Sequence, residues 1–462
     1  MEWDSDSELI LCALYKRSLV EVFSLSRPDW HCRIREGMAG MVRAQWTPDS
    51  RHVLTFADFN LHLSVWSLTT RQMRTVRQPK APPGCMAFSP DSRMLALITR
   101  KECRDYVRLY DASTWEALSE FSVETLDATS LLWSPDGCTL CIQDTSLEYL
   151  VLFYSLEGHL LGNLKAYSNA LGVKISSWPP QPPIGSLGQR QGQGQGQGHK
   201  PGKQTLFAIG SYDQCVRLVS PITWQPVAVL RHTHPRNQLG QANVACYREV
   251  PMGEEDNPST LEQPKEDWAA PSHTSSLSLL VGGSGGGGRT KRATGGKKKP
   301  QISSHGIEVK YVGSLPSVIP SEKPDPTRPN PRLGVGLLSW STDGRYLATR
   351  NDNMPTALWV WDAETLGLSS LLLQMESVRS AKWSPTRSTL AVCTGNHRVY
   401  LWSPDGASWV NVPADGLEIL GFRWSPDGEA LLLLSKDRMC CCFLNEAEGV
   451  KEESAGGTVT QE

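Results

Sequence analysis

Eight aromatic residues recur along this 462-residue chain at nearly constant intervals, and that spacing limits the fold more than any other feature. Trp3, Trp46, Phe88, Trp133, Trp178, Trp340, Trp383 and Trp424 are separated by 43, 42, 45, 45, 162, 43 and 41 residues. In the strongest copies the aromatic is followed by a hydroxyl residue, Pro, Asp and a small residue, as in Trp46-Thr-Pro-Asp-Ser50, Phe88-Ser-Pro-Asp-Ser92, Trp133-Ser-Pro-Asp-Gly137 and Trp424-Ser-Pro-Asp-Gly428. Proline pre-sets φ for the second residue of a β-turn, and Asp and Gly suit the positions after it, so the motif reverses the chain between two strands. Ser134, Asp136 and Gly137 are therefore read as structural punctuation rather than as an active site.

Two further aromatic registers follow the first. About twenty residues on, an alternating apolar strand ends in an aromatic and a small polar residue, as in Val65-Trp66-Ser67, Leu109-Tyr110-Asp111 and Val360-Trp361-Asp362. A third aromatic, such as Trp30, Trp115, Trp224 or Trp409, opens another strand five to seven residues later. Of sixteen tryptophans only Trp268 and Trp359 fall outside these registers, and a catalytic use of tryptophan would not recur in phase. Small antiparallel sheets with two apolar faces cannot stand alone, but radial stacking buries each face against its neighbour. A period of 40–45 residues with this pattern is that of WD-repeat blades. The fold class expected is thus all-β, a WD-repeat β-propeller of about seven to eight four-stranded blades. Trp402-Ser-Pro-Asp-Gly406 repeats the letters of the turn out of phase, 19 residues after Trp383, and is read as the turn into an outer strand.

The blades are expected at 1–180, 205–250 and 331–445. Between the first two lies a Gly/Gln-rich insertion at 181–204, whose side chains cannot form a core. It is expected to be a flexible loop extruded from one blade turn, because its removal restores the spacing. The longer break, 251–330, reads as a disordered Gly/Lys-rich linker, with pieces at 242–250 and 306–312 forming strands of one more, split blade. Residues 446–462 read as a disordered tail. Trp3 is already in register with nothing before it, so the N-terminal blade is expected to be incomplete and the chain to lack about one blade.

Little in the composition points to chemistry. With 46 Lys and Arg against 48 Asp and Glu, the surface as a whole is not built for nucleic acid or an anionic membrane. The acidic start lacks the features of a secretory signal, and no apolar run approaches the ~18 residues of a membrane span. The chain reads as soluble and intracellular. Twelve cysteines lack histidine partners at metal spacing; Cys138-x-x-Cys141 has no second pair, and Cys440-Cys441-Cys442 alternates across a strand. All are read as structural thiols. His232-x-His234 is read as a solvated loop pair. Phosphate-cradle, dinucleotide and nucleophile-elbow motifs are missing, so no enzymatic activity, cofactor, metal or small-molecule substrate is expected. Arg289 to Lys299 holds six basic residues and is read as solvated linker, with nucleic acid the lesser alternative.

A propeller offers a rigid ring of loops to partners. The candidate partner-binding residues are those of charged blade turns: Lys16 and Arg17, Arg104, Asn351, Asp352 and Asn353, and Lys436. An Asp or Asn can instead close its own turn, the reading preferred for Asp213.

Several blocks carry a more specific resemblance. "LCALYKRSLVEVFSL", "RPDWHCRIREG", "YLATRNDNMPTALWVWD" and "AVCTGNHRVYLWSP" depart from a consensus blade in ways that resemble the centrosomal and spindle-pole WD-repeat family typified by the product of the gene antisense to tumour protein seventy-three. The resemblance implies a non-catalytic scaffold in the cytoplasm and cytoskeleton, at centrosomes and spindle poles. It implies action with a coiled-coil anchoring protein, and with a minus-end-directed kinesin, in microtubule minus-end anchoring, spindle organisation, centriolar satellites and cilium assembly. The alternative from another class is a substrate receptor of a ubiquitin ligase.

Overall fold

The computed structural model describes residues 2–80, 83–165, 171–180, 205–233, 244–251, 309–313, 318–325, 327, 332–412 and 417–444. The Gly/Gln insertion, the basic linker at 289–299, His234, Trp268 and the tail lie outside these residues. Among them, strands form eight sheets and the only helices are short 3-10 turns. We number the sheets as blades: blade 1 spans 2–35, blade 2 43–77, blade 3 86–123, blade 4 130–165, blade 5 173–231, blade 6 335–373, blade 7 380–411 and blade 8 421–443. Within each blade the strands pair antiparallel in chain order. This is the architecture of a WD-repeat β-propeller.

First strands of successive blades pack side by side and so line the axis. Second and third strands are covered on both faces, which is why Thr139–Gln143 and Ala357–Asp362 are almost entirely buried and read as continuous runs. Fourth strands form the rim, and Met73–Arg77 and Leu160–Lys165 are mostly exposed there. Each apolar core spans two blades. Leu54 and Val65 meet Leu95 and Tyr110; Ile98 and Leu109 meet Leu131 and Trp133; Phe153 meets Phe207.

The repeated turn closes as its chemistry requires. The Ser89 hydroxyl donates to Asp91 Oδ1 at 2.5 Å and accepts the Met94 amide at 2.9 Å, while the Arg93 amide donates to Asp91 Oδ1. The same bonds recur around Ser134 and Asp136, Ser341 and Asp343, and Ser425 and Asp427. The residue after the Asp has φ of 70° at Gly137, which explains the glycine there. Out-of-phase Trp402-Ser-Pro-Asp-Gly406 does join the third and fourth strands of blade 7, with Ser403 opposite Gly406.

The in-phase indoles also link the ring. Trp46, Trp133, Trp340, Trp383 and Trp424 donate Nε1–H to the carbonyls of Glu2, Ala87, Ser177, Ser339 and Lys382 at 2.9–3.3 Å. Each acceptor immediately precedes the equivalent aromatic of the previous blade. Trp3 is 55% exposed and makes no such bond among the described residues. Trp133→Phe removes the donor and keeps most of the ring, so it should cost about 1–2 kcal/mol by urea midpoint, the price of an orphaned carbonyl. Trp3→Phe should fall within about 0.5 kcal/mol of the parent.

Two expectations about the blades change. The N-terminal blade has four strands, the first being the two residues Glu2–Trp3, and the three-stranded sheet is blade 8. Among the described residues no fourth strand lies beside Met439–Phe443. Strands Ala245–Pro251 and Val309–Val312 pair with each other, but they do not make a separate blade. Ala245–Pro251 runs parallel to the rim strand Gly367–Leu373, extending blade 6 outward to six strands. It joins there because its inward residues pack over blade 7, where Tyr247 and Tyr311 cover the cluster containing Tyr400 and Trp402. Strands Val173–Ser177 and Phe207–Ser211 pair antiparallel, so the Gly/Gln insertion separates adjacent strands of blade 5.

Candidate functional site

In an antiparallel blade alternate turns leave from the same end. Indole bonds set the register at five of the seven blade junctions, and the same strand order in every blade puts the turns between second and third strands on one face of the ring. All seven sequence-predicted positions lie in or beside such turns, on blades 1, 3, 6 and 8.

The structure separates them by burial. Lys16 and Arg17 are exposed in the 3-10 turn Tyr15–Arg17, Arg104 is exposed in blade 3, and Lys436 is exposed in blade 8. Asn351, Asp352 and Asn353 are not available for docking. Asn351 and Asn353 are buried; Asn351 Nδ2–H donates to Gln214 Oε1 at 3.0 Å, and Asn353 Oδ1 accepts the Gly334 amide. Asn353 also exchanges bonds with Glu322, pinning residues 318–325 to blade 6. Asp352 is held by Lys174 of blade 5 and by Arg350, both at 2.7 Å. Although burial acts the other way, those hydrogen bonds keep its carboxyl below the usual range. Asp213 closes its own turn, as read, accepting from the Cys215 amide and pairing with Arg217.

His232 corrects another expectation. It is buried at the start of the connection into blade 6, with Nδ1 2.8 Å from the Gln214 carbonyl and Nε2 2.9 Å from Thr349 Oγ1. Trp361 Nε1–H donates to the same hydroxyl at 2.8 Å. Blade 2 repeats this arrangement with Glu36 in the histidine's place, bonded to Thr55, Ser64, His62 and Trp66. Both residues follow a rim strand and lock the next blade's second and third strands together. A polar residue just after a rim strand, with Thr and Trp in phase in the following blade, is the signal that would have found them.

The cysteines are free thiols, and burial pushes Cys85 up to about 12 and Cys246 and Cys393 up to about 11. That is opposite to the shift that activates a nucleophile. Among the described residues no group of His, Cys, Asp and Glu is placed to hold a metal ion.

Other exposed features of the face are apolar. Phe59 and Leu61 stand in the turn of blade 2, Met38 and Val42 in the connection leading to it, Tyr15 in the turn of blade 1 and Leu14 at the end of the strand before it. Sequence reading missed them because it ranked turns by charge. Phe59 between Asp58 and Asn60 was the available sign, an aromatic where turn chemistry calls for a small polar residue.

Phased indoles, Ser-Pro-Asp turns and eight radially packed sheets define a WD-repeat propeller, a class that works by presenting its loops to other proteins. Residues 372–403 match the family model "WD domain, G-beta repeat". Over 451 residues the chain is 39% identical to the mouse WD repeat-containing protein WRAP73, covering 97% of this chain and 86% of that one. It belongs to that family, as the sequence blocks indicated. It is also 26% identical over 456 residues to the uncharacterized WD repeat-containing protein C32H8.09 of Schizosaccharomyces pombe, covering 93% and 77% of the two chains. A chain of a solved structure, "Crystal Structure of Mitotic Checkpoint Complex", aligns at 13% identity with a TM-score of 0.41, covering 87% and 86%.

Proposed function

We propose that this propeller is a non-catalytic interaction scaffold of centrosomes and spindle poles, joining a coiled-coil anchoring protein and a minus-end-directed kinesin to the apparatus that holds microtubule minus ends. Spindle organisation and cilium assembly are the processes it would serve. The observation that carries this reading is the chain-long similarity to the WRAP73 family. The face of charged and apolar turns supplies the means of partner binding.

Proximity labelling from the full chain in dividing cells tests the proposal. Spindle-pole and centriolar-satellite proteins should dominate the labelled set. Label confined to ubiquitin-ligase adaptors, or to ribonucleoproteins, would replace it with a different function.

A further inference from the structure

We infer that the turns of blades 1 to 3 form a docking surface for an acidic amphipathic segment of a partner protein, one whose apolar side chains are flanked by Asp and Glu. The inference rests on the scaffold reading and specifies which surface does the work and what chemistry it accepts.

The surface is continuous. The Glu36 amide donates to the Ser18 carbonyl, tying the connection after blade 1 to that blade's turn. A side chain at Gly40 would collide with the Asp58 carboxylate, so this connection lies directly on the turn of blade 2. The Val42 amide donates to the Phe56 carbonyl, and the Gln78 amide to that of Leu61, which carries the path on toward blade 3. Along it stand Leu14, Tyr15, Met38, Val42, Phe59 and Leu61, all exposed, with Phe59 at 90%. Contiguous apolar tips of this kind on a soluble domain mark interaction sites.

Phe59 is the sharpest of these features. Its backbone is left-handed, with φ 58° and ψ 16°, and Asn60 follows at φ 54°. A bulky side chain in that region is disfavoured, and Asn or Gly would hold the same turn without strain. An unfavourable backbone that points an aromatic ring into water contributes nothing to this chain's own core. It does contribute a rigid apolar anchor for something that covers it.

Charge sets the partner's sign. Lys16, Arg17, Arg35, Arg77, Lys101 and Arg104 lie at the same ends of the strands of these three blades and are exposed. None of the six has an ion pair among the described residues. Of the acidic residues at the same ends, Glu36 is buried by its hydrogen bonds, Asp58 lies against Gly40, and Asp105 and Asp127 pair with Lys80 and Arg100; Glu102 and Glu124 are exposed, and the six cations outnumber them. An apolar centre with Tyr, Met and Phe and an Arg-rich rim is the composition of a protein-binding surface. Tyr15 and Phe59 are the aromatic rings here, and the other four apolar side chains, Leu14, Met38, Val42 and Leu61, cannot stack on bases, which favours a peptide over a single nucleic-acid strand.

The test places the photo-crosslinking residue p-benzoylphenylalanine at position 59 of the full chain in dividing cells and sequences the adduct. The expected adduct is a protein segment with leucine-like residues at helical spacing among acidic ones. Charge reversal by Lys16→Glu with Arg17→Glu should cut its yield about tenfold or more, as loss of complementary charge does. With the crosslinking residue moved to the exposed position 38, Phe59→Asn should weaken capture of the same segment about as much while leaving the melting temperature equal or higher. An adduct on a basic protein segment, on RNA or on lipid overturns the inference. So does the lack of any adduct, or a lower melting temperature for Phe59→Asn, which would make the ring part of the fold. If proximity label at spindle poles persists while the adduct fails, this surface is wrong and the scaffold reading survives. If that label is itself missing from the parent chain, the scaffold reading fails first.

Discussion

Glu249→Ala is expected to destabilise the propeller by about 3–5 kcal/mol, the range for removing one partner of a buried ion pair. Glu249 and Arg398 have side chains 1% and 3% exposed and approach to 3.4 Å. The carboxylate also accepts the Tyr400 hydroxyl at 2.7 Å and the Met375 amide at 3.0 Å. Burial, and after it the Glu249 charge, push the Tyr400 phenol up, so it stays protonated and keeps donating. Alanine at 249 leaves the Arg398 guanidinium without this carboxylate in a site that water does not reach. It also removes the anchor that ties strand Ala245–Pro251 to blade 7. Arg398→Met should cost a similar amount, because the carboxylate is then left uncompensated. Pairing Glu249→Leu with Arg398→Met should recover most of the loss, since an apolar pair carries no desolvation penalty. Urea midpoints of the three variants decide the matter. Single losses of about 1 kcal/mol or less, as at a solvent-exposed pair, would show that the charges are not buried as the structure has them.

The contrast between this pair and the repeated turns explains what could be read in advance. Ser134, Asp136 and Gly137 make bonds only with neighbours a few residues away, so their role is written in one short stretch. The indoles are legible for another reason: four of the five bond one period back, 42–46 residues, and the period itself is visible. Glu249 fails both conditions. Its partner is 149 residues away, across the 251–330 interruption that hides the strand's neighbour. Asn351, Asp352 and Asn353 failed differently. A polar turn can bond to itself, to an adjacent blade or to a partner, and nothing local says that Lys174 and Gln214 of blade 5 would reach it. Phe59 and Met38 were overlooked because candidate turns were chosen by their charge. Exposure is a property of the packed ring and not of the residue type.

His232 should make stability fall as the solution is acidified from pH 6.5 to about 4. Burial, opposed only by its bond to the Gln214 carbonyl, pulls its pKa down from 6.5 to about 4. The bonding pattern suits a neutral ring. Trp361 Nε1–H donates to Thr349 Oγ1, that hydroxyl can donate to His232 Nε2, and His232 Nδ1–H donates to the Gln214 carbonyl. A second ring proton on Nε2 would face the Thr349 hydroxyl and force its hydrogen away from the acceptor it now has. Above pH 6.5 the ring is neutral in folded and unfolded chains, and the full stability is present. Below it the unfolded chain binds a proton that the folded one refuses, at about 1.4 kcal/mol per pH unit, giving about 3 kcal/mol by pH 4. Below pH 4 both forms are protonated and this contribution levels off. Two Asp carboxyls act in a more acidic window: Asp49, held at about 2 against burial by hydrogen bonds from His52, Thr47 and the Arg51 amide, and Asp111, held at about 2 by bonds from Ser113 and Thr114. The measurement is the urea midpoint between pH 7 and 4 for the parent chain and for His232→Gln. The variant should start less stable at pH 7 and lose less on acidification, so the two curves converge. Parallel curves would mean that His232 takes up its proton as readily in the folded ring as outside it, and that the Thr349–His232–Gln214 chain does not require the neutral ring.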